Sequence, residues 1–309
     1  MQVADMFRDE ESAIKWLEEI FWPNGPFCKD CGSFNVQSGI KHKTMTHRCR
    51  DCPSRPMFSL RKGTVMEGTK LPYRTWAIGV YLFKTNIKGI SSMRLHRELG
   101  ITQKAAWFML HRLRKAAEMD TGYFTGPVEV DETYVGGKRK NMHASKRRKL
   151  EGRGASGKAP VVGMKDRESR QVRAMAVDRT DAETLQGFVM VQADAFATVY
   201  TDESKVYASL PYEHESVKHS AGEYVRGMAH TNGIESFWAS LKRGYVGIYH
   251  KMSPKHLNRY VQEFAGRHNA RDLDTLEQMT RLVESMADKR LRYQDLIADN
   301  GLSSGARAG

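Results

Sequence analysis

Four cysteines constrain this chain more than any other feature. They stand as Cys28-Lys29-Asp30-Cys31 and Cys49-Arg50-Asp51-Cys52, all within the first 52 of 309 residues. Two Cys-x-x-Cys turns with 17 residues between them have the spacing of a tetrahedral four-thiolate zinc site, since each turn brings two thiolates onto one ion. Two disulfides are the alternative. The amino terminus, Met1 to Glu11, is polar and acidic with no apolar run behind a basic leader. No secretory signal is therefore expected, and a reducing, cytoplasmic compartment disfavours disulfides. The intervening segments Val36 to Ile40 and Thr44 to Arg48 supply hairpin arms, which makes the module a zinc ribbon. A closed site of this kind leaves no position for a substrate. Its expected role is to fold a module with too little core of its own.

The rest of the chain is basic. Lys and Arg number 49 against 36 Asp and Glu, a net charge of +13, and an excess of that size favours a polyanion, with nucleic acid first among the partners. No window reaches 18 uninterrupted apolar residues, so no membrane span is expected. Ile14, Leu17, Ile20 and Phe21 recur at helical spacing and end at Pro23-Asn24-Gly25-Pro26, and Pro72 to Lys84 reads as a second helix. Beyond Ile90, a helix that stops at Gly100 and another that opens at Thr102 and runs through Arg114 form a helix-turn-helix pattern. Lys104, Arg112 and Arg114 are the cations expected to meet DNA phosphates there. An ordinary helical hairpin with a solvated basic face is the plainer alternative.

At Gly122 to Pro127 the texture changes to β. Pro127 to Val135, Pro160 to Met164, Arg173 to Val177 and Ala197 to Asp202 read as strands, and Asp181 to Gln192 as a helix. That order predicts an α/β fold, a mixed sheet with flanking helices, preceded by the ribbon and the helical domain. Residues 138–158 hold nine Lys and Arg against one acid, Glu151, which is +8 of the total +13. Such a run is often a solvated tail. Lying between two strands, Lys138, Arg139, Lys140, Lys146, Arg147, Arg148 and Lys149 are expected to grip DNA.

Asp131 follows one core strand and Asp202 ends another, and strand ends in such sheets commonly face a ligand crevice. Glu235 lies on a helix whose apolar stripe is Ile234, Phe237, Trp238 and Leu241, and Asn232, Glu235 and Lys242 share another face. Three acids from two strands and a helix repel one another unless divalent cations neutralise them. Hard oxygen ligands suit Mg²⁺, and two such ions can run an in-line phosphoryl transfer. By spacing alone the same acids also fit a strand end, a helix cap and a surface ion pair.

Val130-Asp131-Glu132-Thr133-Tyr134-Val135-Gly136-Gly137, Thr201-Asp202-Glu203-Ser204, His230 to Trp238 and Gly247 to Tyr260 together resemble insertion-sequence transposases. The likeness is to the bacterial group that joins an amino-terminal zinc ribbon to an ISXO-like DDE domain, relatives of the Merlin elements, and it covers residues from about 10 to 271. It implies a ribonuclease-H-like catalytic fold with two catalytic Mg²⁺ or Mn²⁺ ions on Asp131, Asp202 and Glu235. Asn232 is an auxiliary, and Lys242, with Arg243 beside it, meets DNA near the scissile phosphate. Members differ over Asn or Glu as the third ligand; Glu235 is chosen because its offset of seven from Lys242 places both on one helix face. The implied reaction binds terminal inverted repeats, cleaves a strand and transfers the freed 3′-hydroxyl to target DNA, with no covalent enzyme intermediate. Double-stranded DNA is then the partner, at least a dimer forms on it, and the setting is the nucleoid. The rivals are a DNA-binding regulator with an inert carboxyl-terminal domain and a stand-alone nuclease.

The expected organisation is an amino-terminal helix over 1–23, the ribbon over 24–60, the helix-turn-helix domain over 61–121, and the catalytic domain over 122–271. A helix from Asp274 to Ile297 and a mobile tail complete 272–309.

Overall fold

The computed structural model describes residues 3–118, 122–148, 156–217 and 230–304. Lys149 of the expected DNA-binding set, and residues 305–309 of the expected tail, lie outside them. The described chain divides into two compact units, 3–118 with 273–298, and 122–272 with 299–304.

In the first unit, a short helix α1 (Val3–Met6) precedes α2 (Glu10–Phe21). Asp9 accepts the Ser12 backbone N–H and the Ser12 hydroxyl reaches back, so a capping box starts α2 and turns Ala13, Trp16 and Leu17 inward. The ribbon follows as β1 (Val36–Gln37), β2 (His47–Cys49) and β3 (Met57–Phe58), antiparallel in that order. Next come α3 (Tyr73–Thr85), α4 (Ser92–Leu99) and α5 (Gln103–Ala116). Gly100 ends α4 at φ 63°, a left-handed conformation that glycine adopts without a Cβ clash, and the Thr102 hydroxyl accepts the Ala105 N–H to open α5. The turn between the helices is therefore where the sequence places it. Cys28, Cys49, Trp76, Phe83, Leu95 and Leu110 belong to one continuous core.

The second unit is a mixed sheet, as expected, and it has a fifth strand, His214–Val217, beyond the four that the sequence indicates. Its elements are β4 (Val128–Val135), α6 (Ala144–Arg148), β5 (Ala159–Asp166), β6 (Val172–Ala176), α7 (Ala182–Gln192), β7 (Val199–Asp202), β8 (His214–Val217), α8 (Asn232–Gly244) and α9 (Pro254–Asn269). The strand order is β6-β5-β4-β7-β8; β4, β5 and β6 form an antiparallel meander, and β7 and β8 run parallel with β4. Strand alternation sends Val128 and Val130 toward α7 on one face, and sends Val135 and Val161 toward α8 and α9 on the other. Pro254 starts α9 at its first turn.

The chain then returns to the first unit as α10 (Thr275–Glu284) and α11 (Tyr293–Ile297). The single helix expected over Asp274 to Ile297 is thus broken. Ala287 bridges Thr64, Val65 donates to the Met286 carbonyl, and Asp288 donates to the Gly63 carbonyl while taking φ 57°. Pairing with a distant backbone segment replaces the helix's own hydrogen bonds, and helical periodicity carries no sign of that. No helix among the described residues is long and apolar enough to cross a membrane.

Candidate active site and metal centre

The ribbon brings its four cysteines together. Cys28 Sγ lies 3.8 Å from Cys52 Sγ and Cys31 Sγ lies 3.6 Å from Cys49 Sγ, and all four sulfurs fall within 4.8 Å of one another. A tetrahedron with metal–sulfur bonds of about 2.3 Å has edges of about 3.8 Å. Spacing and a four-thiolate donor set both fit zinc. The Cys52 backbone N–H donates to Cys49 Sγ at 3.3 Å, which favours the thiolate form a metal needs. Trp22 packs edge-on against His47 at 4.8 Å and joins α2 to the ribbon's core.

The carboxylates are arranged differently. β4 pairs with β7 at Val128–Val199 and Glu129–Tyr200. Carrying that parallel register forward by two residues sets Asp131 opposite Asp202 on one face of the sheet. β7 ends at Asp202 while β4 continues to Val135 beside β5. Asp131 is therefore in mid-strand rather than after the strand, and the residue opposite it is the last of β7. Asp131 Oδ1 accepts the Glu132 N–H at 2.8 Å and Oδ2 accepts the Trp238 indole N–H at 3.0 Å. Burial, with the Glu132 and Asp202 carboxylates nearby, pushes the Asp131 carboxyl up to about 7, and the Trp238 bond acts against that rise. Glu132 points to the opposite face, where the buried Tyr207 hydroxyl donates to it at 2.9 Å. Asp202 Oδ1 accepts the Ser204 N–H at 3.0 Å.

α8 packs Ile234, Phe237, Trp238 and Leu241 on the sheet. Glu235 and Lys242 stand three before and four after Trp238, so they lie on the helix flank that carries the indole. The opposite flank carries Phe237, which meets His268 of α9 edge-on. Glu235 and Lys242 thus project from the side of α8 away from α9, and both are exposed, as are Asn232 and Arg243. Glu235 Oε1 accepts the Thr231 hydroxyl at 2.9 Å and Arg243 donates to the Ser240 hydroxyl at 2.9 Å. Among the described residues the four cysteines alone bring three or more ligand atoms within 4.8 Å. Asp131 and Asp202 are near enough for their charges to interact, and with Glu235 they form no such cluster.

The expected DNA contacts divide. Lys138, Arg139, Lys140, Arg147 and Arg148 are exposed on the segment joining β4 to β5, which leaves β4 at its carboxyl-terminal end, the end at which β7 stops on Asp202. The backbone of Lys146 is helical in α6. Lys104 is exposed with its ammonium 4.6 Å over the Tyr293 ring. Arg112 and Arg114 are not at the surface but 5% and 1% exposed. Arg112 donates to the carbonyls of Leu291 and Glu67, at 3.2 and 3.0 Å, and stacks on Phe108, and burial pushes its pKa down to about 10. Met109 through Arg114 are all buried because neighbouring segments of the unit cover α5 beyond its apolar stripe.

Trp238, which donates to Asp131, and Glu132, whose charge acts on it, are residues to which the sequence motifs assign no role. Trp238 sits in the apolar stripe, and only the tertiary structure aims its N–H at Asp131.

Comparison with known proteins yields two family models on this chain: a transposase zinc-ribbon domain over residues 8–55 and an ISXO2-like transposase domain over residues 124–269. One relative, named as an uncharacterized protein in transposable element ISH50 of Halobacterium salinarum, is 29% identical over 277 residues, spanning 85% of this chain and 92% of that protein. Among solved structures, the simian T-cell lymphotropic virus intasome in complex with PP2A regulatory subunit B56 gamma aligns at 14% identity and TM-score 0.29. That alignment covers 62% of this chain and 65% of that one, just under two thirds, and is too slight to carry an argument.

Proposed function

We propose that this chain, which belongs to the insertion-sequence transposases that join a zinc ribbon to an ISXO2-like transposase domain, binds the terminal inverted repeats of its element, cleaves a strand there and transfers it to target DNA. The observation that carries this reading is the register that sets Asp131 opposite Asp202, with Glu235 and Lys242 on the adjoining flank of α8. The strand order β6-β5-β4-β7-β8, an antiparallel meander extended by two parallel strands, supports a ribonuclease-H-like domain.

Asp131, Asp202 and Glu235, with Asn232 as auxiliary, would hold two divalent cations, Mg²⁺ or Mn²⁺, which when bound neutralise charge on the reacting phosphate. Oxygen donors that do not converge by themselves fit cations that also take ligands from a phosphate. Trp238 keeps Asp131 oriented through its indole N–H. Lys242 faces a phosphate near the scissile bond, and Lys138, Arg139, Lys140, Arg147, Arg148 and Arg243 neutralise the flanking backbone. Water attacks the phosphodiester at the element's end and a 3′-hydroxyl leaves. That hydroxyl then attacks a target phosphate, forming one phosphodiester as another breaks, so no high-energy cofactor is consumed. The ribbon, which would hold Zn²⁺ on Cys28, Cys31, Cys49 and Cys52, and the α4–α5 pair with Lys104 are the repeat-binding part. Two element ends must meet, so the DNA-bound form is at least a dimer.

The test incubates the full-length protein with labelled DNA from the boundaries of its own element, with Mg²⁺ or Ca²⁺, beside Asp202→Ala. Nicking at a repeat boundary and joined products are expected with Mg²⁺ and are absent from the variant. Tight binding without cutting, in Mg²⁺ and in Mn²⁺, would replace this reading with that of a DNA-binding regulator.

A further inference from the structure

Two residues before Asp131, the strand β4 buries a second carboxylate. Glu129 is 2% exposed. Its Oε1 accepts the Arg167 Nε–H at 2.9 Å and lies 3.3 Å from His230 Nδ1, and its Oε2 accepts the backbone N–H of Ile234 at 3.0 Å. Arg167 in turn donates to the His230 carbonyl at 2.7 Å and stacks 4.1 Å over the Tyr200 ring of β7. Lys165, directly across the ladder from Glu129, adds a second cation. Every one of these groups lies within the second unit.

Ile234 is the third residue of α8, where a helix ordinarily has its N–H taken by the side chain of its own cap. The cap here is Thr231, whose side chain makes no capping bond. Its hydroxyl is turned to Glu235 Oε1 instead, at 2.9 Å. Glu129 thus caps α8 from another strand and releases Thr231 to hold the proposed metal ligand. Gly233 makes the approach possible, because a Cβ there would lie 2.7 Å from Glu129 Oε2 and 2.7 Å from Lys165 Nζ. A second bond joins the same pair of elements, from the Trp238 indole to Asp131. Two residues along a strand span about 7 Å and four along a helix about 6 Å, so the spacing Glu129–Asp131 matches the spacing Ile234–Trp238.

We infer that Glu129, with Arg167 and Gly233, is a positioning residue that docks the amino-terminal turn of α8 onto β4 and thereby sets Glu235 relative to Asp131 and Asp202. The part that concerns Glu235 as a metal ligand rests on the proposed function; the docking itself does not.

Two measurements on the full-length chain separate these claims. Backbone hydrogen exchange over residues 230–240, without added Mg²⁺ and referenced to residues 160–176, reads the docking alone. Glu129→Ala and Gly233→Ala are expected to speed exchange at Ile234 about tenfold or more, and Glu129→Gln, which keeps an acceptor for that N–H, to fall between them and the unaltered chain. Unchanged exchange in both, or an equal rise over residues 160–176, overturns the docking role. Mg²⁺ titration of DNA cleavage reads the consequence. The concentration giving half the maximal rate is expected to rise about fivefold or more in Glu129→Ala and Gly233→Ala while DNA affinity is unchanged. An unchanged Mg²⁺ requirement in both overturns the link to Glu235. Absence of cleavage by the unaltered chain counts against the transposase reading, and the exchange measurement still decides the docking.

Discussion

The four cysteines of the ribbon and the three carboxylates proposed to bind metal are held in opposite ways. Four thiolates already stand at tetrahedral spacing, half of them fully buried, with a backbone N–H aimed at one of them. Asp131, Asp202 and Glu235 are instead each held by a separate donor, from Trp238, Ser204 and Thr231. The difference teaches what each centre is for. Close-set soft ligands form a closed unit that stabilises a fold. On the proposed function, Asp131, Asp202 and Glu235 are hard ligands for cations that a phosphate completes.

Stripping the ribbon of metal attacks the first half of this contrast. Chelation, or Cys49→Ser, is expected to remove on the order of 10 kcal/mol of apparent folding free energy. Calorimetry should then show the first unit's unfolding transition lost while that of the second persists. The second half is attacked by Asp131→Asn, which is expected to reduce strand cleavage by about 10³-fold or more with DNA binding retained in a gel-shift assay. A finer change is Trp238→Phe, which keeps a ring over Gly163 and deletes the N–H that meets Asp131. Losing a hydrogen bond to a charged group costs about 1.5–3 kcal/mol, so cleavage should fall about 10- to 100-fold at low Mg²⁺.

Acid sharpens the contrast more mildly. Burial first, with Arg271 and Lys165 nearby, holds His268 of α9 down at about 4 against an ordinary 6.5. Between those values the unfolded chain binds more protons than the folded one, so the second unit loses stability as pH falls from about 6.5 to 4. Thermal unfolding across that range, steep for the unaltered chain and flatter in His268→Gln, checks the sign. Smallest of all, Lys138→Ala with Arg139→Ala should lower the salt dependence of DNA affinity by a slope of about 1.8, or about 0.9 for each phosphate left without its cation.

How far the sequence reaches differs between the two centres. The cysteines are legible because ligand, spacing and turn are all local. So are the α8 stripe, the Gly100–Thr102 turn and the alternation that builds the sheet. The carboxylates are legible as motifs but not as a geometry, since the parallel register of β4 and β7 spans some seventy intervening residues. Arg112 and Arg114 read as surface cations because a helical wheel shows one apolar stripe and nothing of the segments that cover the rest of α5.

The sequence by itself determined the ribbon, four of the five strands of the larger sheet and the residue types available for phosphate chemistry, because periodicity and short ligand spacings are properties of neighbours along the chain. The tertiary structure alone decided that Trp238 donates to Asp131 and that α8 takes its cap from Glu129. It also decided that residues 285–292 leave the helix to pair near Thr64. In each case the partner lies more than a hundred residues away, and a hydrogen bond is satisfied by whichever group folding brings within reach.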